Sequence, residues 1–429
     1  MSLSEQIDYS FSYNSQIIEK TGRFTIAAKE LAIDKFLSQL LIGTGIEYSF
    51  FKDQIILNYK EVEVVSKKKN LFSISGNVKD QNGETLTKTN VFLDGTTIGV
   101  ATDIDGNYKL ESIPPGSYNL VFSHVGFENL VHSISEYNGS ARIYSPNMEN
   151  NTQELQEIEV NSDRVDSDDI EWLSNFVTFK RELIGSTINA QQCVIENPEV
   201  IDFFYDKKDK VLRAYSSEPI HIRNDALGYN ITYFLESFEK SKNDLRYRGQ
   251  IKFRNATPLK KTDAKDWNRN RKKSLHGSFN HFRKSLLDNQ LKKEGYKIFR
   301  TSQLNQLDEY EDLEKLSGED VLSFKGDHYE LEFDDYLIVE YRKENETLEF
   351  LRNIKFSSIL YKNLVNSRGL MVKEPGHQIS IVNLLKKSVK LDLNGQIDDK
   401  FGLTTYGYWS WERLADLVPL NYDPKLDKL

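Results

Sequence analysis

Seven histidines are the first place to look for chemistry: His124, His132, His221, His276, His281, His328 and His377, none of which opens an H-x-x-E or H-E-x-x-H pattern. A zinc peptidase needs closely spaced His and Glu ligands on a rigid element, with one position left open to water. This spacing argues against one. Asp103-Ile-Asp-Gly-Asn107 has the oxygen-rich start of a calcium loop, but Pro114 stands where a helix–loop–helix site needs its twelfth-position Glu. A β-turn whose Asp side chain bonds the backbone and whose Gly takes positive φ accounts for it more simply. His276-Gly-Ser278 and His281 bring a hydroxyl near two imidazoles. A helix explains them: Ser278 caps it, and the histidines occupy its polar face. Cys193 is the only cysteine, so neither an intrachain disulfide nor a thiolate metal cluster forms. No phosphate-binding loop of the G-x-x-x-x-G-K-[ST] type occurs, and no G-x-G-x-x-G follows a strand. The expectation is no catalytic residue, no metal and no cofactor.

Charge is more informative. The net charge is −9, yet Arg246 to Arg300 holds 17 Lys/Arg against four Asp/Glu. Such asymmetry bears on partners rather than on fold. The densest part predicts an anion- or partner-binding site built from Arg269, Arg271, Lys272, Lys273, Arg283 and Lys284. Its competing role is to neutralise the chain's own acidic segments, such as Glu311 to Glu314 or Asp163 to Asp169. No DNA- or RNA-binding motif accompanies the block, which disfavours nucleic acid.

The elements that must carry these residues follow from periodicity. Of 429 residues, 38% are apolar and 12% aromatic, with 22 Tyr and 24 Phe, a composition suited to half-buried pleated surfaces. No run of 18 apolar residues occurs. The predicted class is α+β, mainly β. Residues 1–60 read as a small βαββ unit: a strand at Arg23 to Ala28, a helix at Leu31 to Leu41 stopped by Gly43 and Gly45, and strands at Ile46 to Phe50 and Gln54 to Tyr59. Residues 71–145 alternate as Phe72 to Val78, Thr89 to Leu93, Gly99 to Thr102, Asn107 to Leu110, Ser117 to Phe122 and Glu128 to Ile134, with Gly-bearing turns between. That spacing predicts a seven-strand-type β-sandwich able to fold alone. Residues 146–170 read as a polar and acidic linker, and residues 171–429 as a β-rich region with a few helices. One of these helices carries the stripe Leu275, Phe279, Phe282 and Leu286, with Lys292, Lys293 and Gly295 at its end. Another spans Tyr408 to Leu417 and stops at Pro419.

The order of turns and strands from Ile74-Ser-Gly-Asn-Val-Lys-Asp80 through Asp103-Ile-Asp-Gly106 and Ile113-Pro-Pro-Gly116 to His124-Val-Gly-Phe127 resembles the carboxypeptidase-regulatory-like domain. The resemblance implies a transthyretin/prealbumin-like sandwich with no peptidase chemistry of its own. Phe11-Ser-Tyr13, Leu41-Ile-Gly-Thr-Gly45 and Gln54-Ile-Ile-Leu57 resemble the short N-terminal domain of secretins and TonB-dependent receptors, in partial form. That family's first strand and much of its first helix would precede Leu3, so a processed start and an export signal upstream are expected. Five further stretches are similar to a C-terminal region of Bacteroidota-type envelope proteins: Asn189 to Pro198, Asn224 to Tyr229, Trp267 to Arg271, Gly277 to Arg283 and Gly407 to Trp411. Together these resemblances imply a periplasmic or outer-membrane-associated, non-enzymatic binding or assembly module. Its partner would be an envelope protein, peptide or glycan, with contact to anionic lipid headgroups through the basic block. The alternatives are an envelope polymer hydrolase with its site in the C-terminal region, and an accessory to TonB-dependent transport or signalling.

Overall fold

Alternating sequence becomes strand wherever one face can be buried, and nearly half of the structure follows that rule. The structure is a computed structural model, and it describes residues 9–13, 33, 37, 46–59, 71–136, 139–151, 170–242, 244–302, 313–326, 328–353, 374–399 and 402–425. Two compact units divide at Asn70/Leu71.

In the first unit, Gln54–Tyr59 is the central strand. It runs parallel to Ser10–Tyr13 and antiparallel to Ile46–Phe51. Lys52, at φ 53°, turns the hairpin. Ile55 and Leu37 are buried. The predicted strand at Arg23 to Ala28 lies outside the described residues, as does the predicted helix at Leu31 to Leu41 apart from Ile33 and Leu37.

The second unit begins with the sandwich. One sheet runs, in spatial order, Leu130–Glu136, Gly116–Ser123, Asn90–Leu93, Gly99–Ala101. The other runs Ala141–Ile143, Phe72–Asn77, Asn107–Ile113. Phe72, Ile74, Val91, Leu93, Tyr108, Leu110, Leu120 and Phe122 fill the space between them. The sandwich continues past residue 145. Asn147–Met148 pairs in parallel with Lys79–Asp80, Met148 is fully buried, and the Glu128 N–H donates to the Glu149 carbonyl at 2.9 Å. The segment read as the start of a linker therefore closes the core.

Among the described residues the region beyond holds three sheets, the smallest running Leu322–Phe324, Tyr329–Glu332, Ser388–Leu391. Helix α1 (Ile170–Ile184) lays Phe179, Leu183 and Ile184 on the first, whose long hairpin pairs Tyr229–Lys240 with Leu245–Asn255. Ile220–Asn224 and Val211–Ser216 both pair with the other edge of Tyr229–Lys240, flanked by Cys193–Ile195 and Ile201–Asp206 respectively. A one-turn helix α2 (Ile188–Gln191) starts at Thr187. The second sheet runs Glu314–Leu316, Tyr296–Thr301, Tyr336–Asn345, His377–Leu384, Leu403–Gly407, every pair antiparallel.

The basic stretch departs from expectation. Lys261–Leu275 is itself a helix (α3) and ends at His276. Gly277, at φ 79°, then turns the chain into α4 (Phe279–Leu287). Ser278 caps α4, its Oγ accepting from the His281 N–H at 3.2 Å. Leu275 thus belongs to the preceding helix, and the stripe read as one helix is broken. Lys292 and Lys293 lie in a further turn, α5 (Leu291–Glu294), closed by Gly295 in the left-handed conformation. Near the C-terminus, only Tyr408–Trp411 (α7, after α6 at Leu348–Asn353) is α-helical, and a separate 3₁₀ turn follows at Leu414–Asp416.

Sandwich and C-terminal region share one unit because they share a seam. Phe92 stacks on Phe234 at 4.9 Å, and Phe92, Val121 and Phe234 form a small buried cluster. The turn at Asp94 to Thr97 pairs with the outer edge of Leu245–Asn255. The Gly95 N–H donates to the Ile251 carbonyl at 2.7 Å, the Phe253 N–H to the Thr96 carbonyl at 2.9 Å, and the Ile251 N–H to Asp94 Oδ1 at 2.8 Å. At a second point the Ser117 N–H donates to Asp392 Oδ2 at 2.9 Å, and Asn394 Nδ2 donates to the Pro115 carbonyl at 2.7 Å.

Candidate functional site

The six cations of the predicted anion site do not form one surface. Arg271 is 1% exposed. Its Nε donates to the Leu227 carbonyl at 2.7 Å, its terminal nitrogen to the Gly228 carbonyl at 2.9 Å, and its guanidinium lies 4.0 Å from the Tyr229 ring centroid. Arg283 is also buried, donating to the Gly395 carbonyl and Asn280 Oδ1, and burial lowers its pKa to about 10. Arg269 is exposed and paired with Asp266 at 2.9 Å. Lys273 and Lys284 are exposed, and Lys272 is half-buried. Two of the six are therefore interior braces, and four remain open to solvent to differing degrees.

Arg271 belongs to a larger arrangement. Four successive carbonyls of the Asp225 to Gly228 turn are met by side chains of α3: Trp267 Nε1 on Asp225 at 2.8 Å, Asn270 Nδ2 on Ala226 at 2.9 Å, and Arg271 on Leu227 and Gly228. Gly228 sits at φ 65°, and a Cβ there would lie 2.1 Å from the Trp267 ring. Glycine is required on both counts. Asn224 supports the same turn, accepting from the Leu227 N–H at 3.0 Å and donating to the Ala415 carbonyl at 3.0 Å. The other singled-out stretches join this hub or lie beside it. Asn189 Nδ2 donates to Ser274 Oγ at 3.1 Å and to Asp416 Oδ1 at 2.9 Å, while Trp409 Nε1 donates to the Gly277 carbonyl at 2.6 Å. These stretches pair with one another as a framework.

The histidine and serine positions resolve similarly. His281 Nδ1 is 2.9 Å from the Tyr296 hydroxyl and accepts from the Gly277 N–H at 3.2 Å. Burial first, and then neighbouring His276, push its pKa down to about 4. Ser278 Oγ donates to the Leu275 carbonyl at 2.6 Å, so its hydroxyl is committed to the turn. His132 stacks on Tyr144 at 4.0 Å, and His124 lies 3.2 Å from Thr89 Oγ1. Asp103 Oδ1 accepts from the Asp105 and Asn107 N–H groups at 3.0 and 2.8 Å, the β-turn expected there. Among the described residues, no group of three or more His, Cys, Asp or Glu is placed to hold a metal ion. Cys193 is 1% exposed, and burial raises its thiol pKa to about 12, which leaves it a poor nucleophile.

Sequence reasoning missed a group of carboxyls under the Gly407 to Asp416 segment. Asp416 is buried and accepts from Thr187 Oγ1 at 3.0 Å and Asn189 Nδ2 at 2.9 Å. Burial outweighs these donors and raises its pKa to about 6. Glu412 is closely surrounded by protein and lies well above the ordinary carboxylate range, from burial first and then from Asp416 and Glu344. Glu344 is raised by burial too, opposed by Lys273 and by a bond from Gln378. The four-residue spacing of Glu412 and Asp416 allows them to be neighbours, but nothing in the sequence brings Glu344 to them.

The sandwich presents a different kind of feature. Among the described residues, Leu130–Glu136 pairs on one side only, with Gly116–Ser123, in unbroken register from Leu130↔Phe122 to Glu136↔Gly116. Its outer side, over Leu130 to Ser135, offers a row of backbone donors and acceptors. Three devices that block such an edge are absent from this strand: it reads Leu-Val-His-Ser-Ile-Ser-Glu, without proline, lysine or bulge. The neighbouring edge strand Ala141–Ile143 is exposed throughout, Ile143 at 84%. An ion pair between Arg142 and Glu136 at 2.7 Å ties the two edges together.

Comparison with known proteins adds the following. No curated protein matches the chain. Among solved structures, it is similar to a putative carbohydrate binding protein from Bacteroides uniformis (10% identity, TM-score 0.15, covering 38% of this chain and 59% of that one). It is also similar to a DUF3823 family protein from Parabacteroides merdae (11% identity, TM-score 0.15, 43% and 80%). A third is a type II cohesin–X-dockerin complex from Acetivibrio cellulolyticus (17% identity, TM-score 0.15, 17% and 51%). The chain thus spans little more than half the length of the first and third of these, and at such TM-scores the similarity does not reach a shared overall architecture. Residues 74–160, which hold the sandwich from Ile74 onward, match the CarboxypepD_reg-like domain.

Proposed function

We propose that the protein is a non-enzymatic binding or assembly module of the bacterial cell envelope, and that it takes an extended segment of a partner protein along the open edge Leu130–Glu136. The unblocked edge carries this reading. Unpaired strand backbone is satisfied best by another strand, and strand addition gains its affinity from main-chain hydrogen bonds. The match to the CarboxypepD_reg-like domain supports a β-sandwich serving as a module. The rigid seam with the C-terminal region supports an edge held in fixed orientation. A peptide backbone repeats donors and acceptors at the spacing of this edge, as a glycan does not, so a peptide or protein is the favoured partner class.

The test places a photo-crosslinking residue at Ser133 and exposes the full chain to detergent-solubilised envelopes, alongside a Val131→Lys/Ser133→Lys variant. Lysines on the exposed side of the edge strand should reduce capture at least tenfold without changing the melting temperature. Equal capture by the lysine variant would place the partner elsewhere and end this reading.

A second reading, hydrolysis of an envelope polymer, is favoured by one observation: Glu412, Asp416 and Glu344 share a poorly solvated site in which ionisation is opposed, as general acids require. Incubation of the full chain with purified cell-wall polymer, against a Glu412→Gln variant, tests it. Product formed by the parent and absent from the variant would support hydrolysis. Its absence from both would leave the binding module.

A further inference from the structure

With Arg271 and Arg283 withdrawn into the interior, the cations left on α3 take on an order the sequence count concealed. Lys261, Lys265, Arg269 and Lys273 follow one another at four-residue intervals, and all four are exposed. Residues so spaced form a single row along a helix. At 1.5 Å rise per residue the row is about 18 Å long. Half-buried Lys272 flanks it. The opposite face carries buried Ala264, Arg271 and Ser274, so Lys261, Lys265 and Arg269 point away from the protein, while Lys273 at the end of the row lies near Glu344 and Glu412. One acid interrupts it, Asp266, which is engaged with Arg269. No ion pair among the described residues reaches Lys261, Lys265 or Lys272.

This arrangement works against the helix that bears it. Like charges four residues apart repel. Lys260 and Lys261 also sit at the N-terminal end, where the helix dipole disfavours cations. Asp263 offsets part of this by accepting from the Lys260 N–H at 2.9 Å. A row disfavoured by its own helix, with Lys261 and Lys265 reached by no ion pair among the described residues, is suited to an external anion. Its shape selects the kind of anion. The cations are spread along a line rather than gathered around a point, so they match an extended anionic surface better than a single phosphate. Leu259, immediately before the helix, is 94% exposed, more than any other large apolar side chain described. An exposed leucine beside a basic row gains from an acyl boundary and gains nothing from a nucleic-acid backbone.

We propose that the outer face of α3 is a membrane-surface contact that binds the anionic phosphate headgroups of a bilayer, with Lys261, Lys265, Arg269 and Lys273 along the headgroup layer and Leu259 entering its edge. This surface is independent of the sandwich edge.

The test is flotation of the full chain with vesicles of phosphatidylcholine alone and with 30% phosphatidylglycerol (about 30 mol%, enough to give a strongly negative surface). The parent should bind the anionic vesicles, leave the neutral ones unbound, and lose affinity as salt rises from low to physiological. The variant Lys261→Gln/Lys265→Gln/Arg269→Gln should bind on the order of a hundredfold more weakly while melting within about 1 °C of the parent. It leaves Lys273, which also faces Glu344 and Glu412, in place. Leu259→Ser should weaken binding several-fold with the salt dependence unchanged. The proposal is overturned if the folded parent ignores anionic vesicles, if neutral vesicles bind equally, or if the triple variant binds like the parent. It is also overturned if duplex DNA binds more tightly than the vesicles, which would assign the row to nucleic acid. Competition by millimolar inorganic phosphate at constant ionic strength would equally count against an extended surface.

Discussion

Replacing Arg271 by Gln separates structural cations from surface ones. Two hydrogen bonds from a charged donor to the Leu227 and Gly228 carbonyls are lost, each worth about 1.5–3 kcal/mol. The contact over Tyr229 adds about 1–2 kcal/mol. Relief of the desolvation cost of a buried guanidinium offsets part of that total. A net loss of about 3–5 kcal/mol follows. For a unit as large as Leu71–Leu429, the unfolding entropy is about 0.7 kcal/mol per kelvin, so the melting temperature should fall by roughly 4–7 °C. Arg271→Lys should recover only part of this, because an ammonium lacks the planar fork that spans two carbonyls. Lys284→Gln and Arg269→Gln, on exposed side chains, should each shift melting by under about 1 °C. Differential scanning calorimetry on the full chain measures all four. An Arg271→Gln protein that melts within 1 °C of the parent would refute the bracing role, and so would surface variants as destabilised as Arg271→Gln.

Other expectations follow from the same contacts. Asp416 titrates near 6 in the fold, above its usual value of 3.8. Its contribution to stability is therefore full below about pH 4 and is lost as pH rises through about 6. The melting difference between the parent and Asp416→Asn should widen in the parent's favour from pH 7 to pH 5, and a gap independent of pH would contradict the assignment. His281 works in the opposite direction. Held neutral down to about 4, it contributes stability above its usual 6.5 that is lost as pH falls through 4, so His281→Gln should flatten the acid limb of a pH–melting curve. Phe92→Ala should cost about 3–5 kcal/mol in the intact protein but under about 1 kcal/mol in an excised fragment of residues 71–151, where its partner Phe234 is absent. Equal costs would show that the seam is energetically idle. Gly228→Ala meets both a positive φ and the Trp267 ring, and soluble expression at wild-type level would rule out the tight fit between turn and helix.

The strands were the legible part, because a two-residue period of apolar side chains is visible wherever one face is buried. Phe72–Asn77, Gly116–Ser123 and Val211–Ser216 show it plainly. Asp-led turns were legible too, since a carboxylate bonding backbone N–H groups two and four residues ahead is a local device, seen at Asp103 and Asp392. Helix α3 was hidden because the face it buries bears Ala264, Arg271 and Ser274, with Trp267 alongside, and so shows no apolar period. The same face disguised Arg271, whose interior position depends on carbonyls some 40 residues away in sequence. Met148 reads as linker in the sequence because a two-residue strand has no period to show. The approach of Glu344 to Glu412 depends on tertiary pairing alone.

The seam also sets an order on how the molecule can be completed. The turn at Gly95 to Thr97 is held from one side by the strand Leu245–Asn255 and from the other by the tail. The Leu420 N–H donates to the Gly95 carbonyl at 2.8 Å, and Asn421 bonds Thr97 in both directions across 324 residues of sequence. Contacts of such separation form late, since the chain between them must first be made and ordered. Synthesis delivers the sandwich early, yet its last partners arrive only with residues 420 and 421. Until then the outer edge of Leu245–Asn255 lacks the tail that clamps its covering turn, and that strand is an opportunity for mispairing between chains. The tail thereby acts as a check on completeness: a chain cut short before Leu420 would carry every sheet of this unit and still lack the latch that secures one of them.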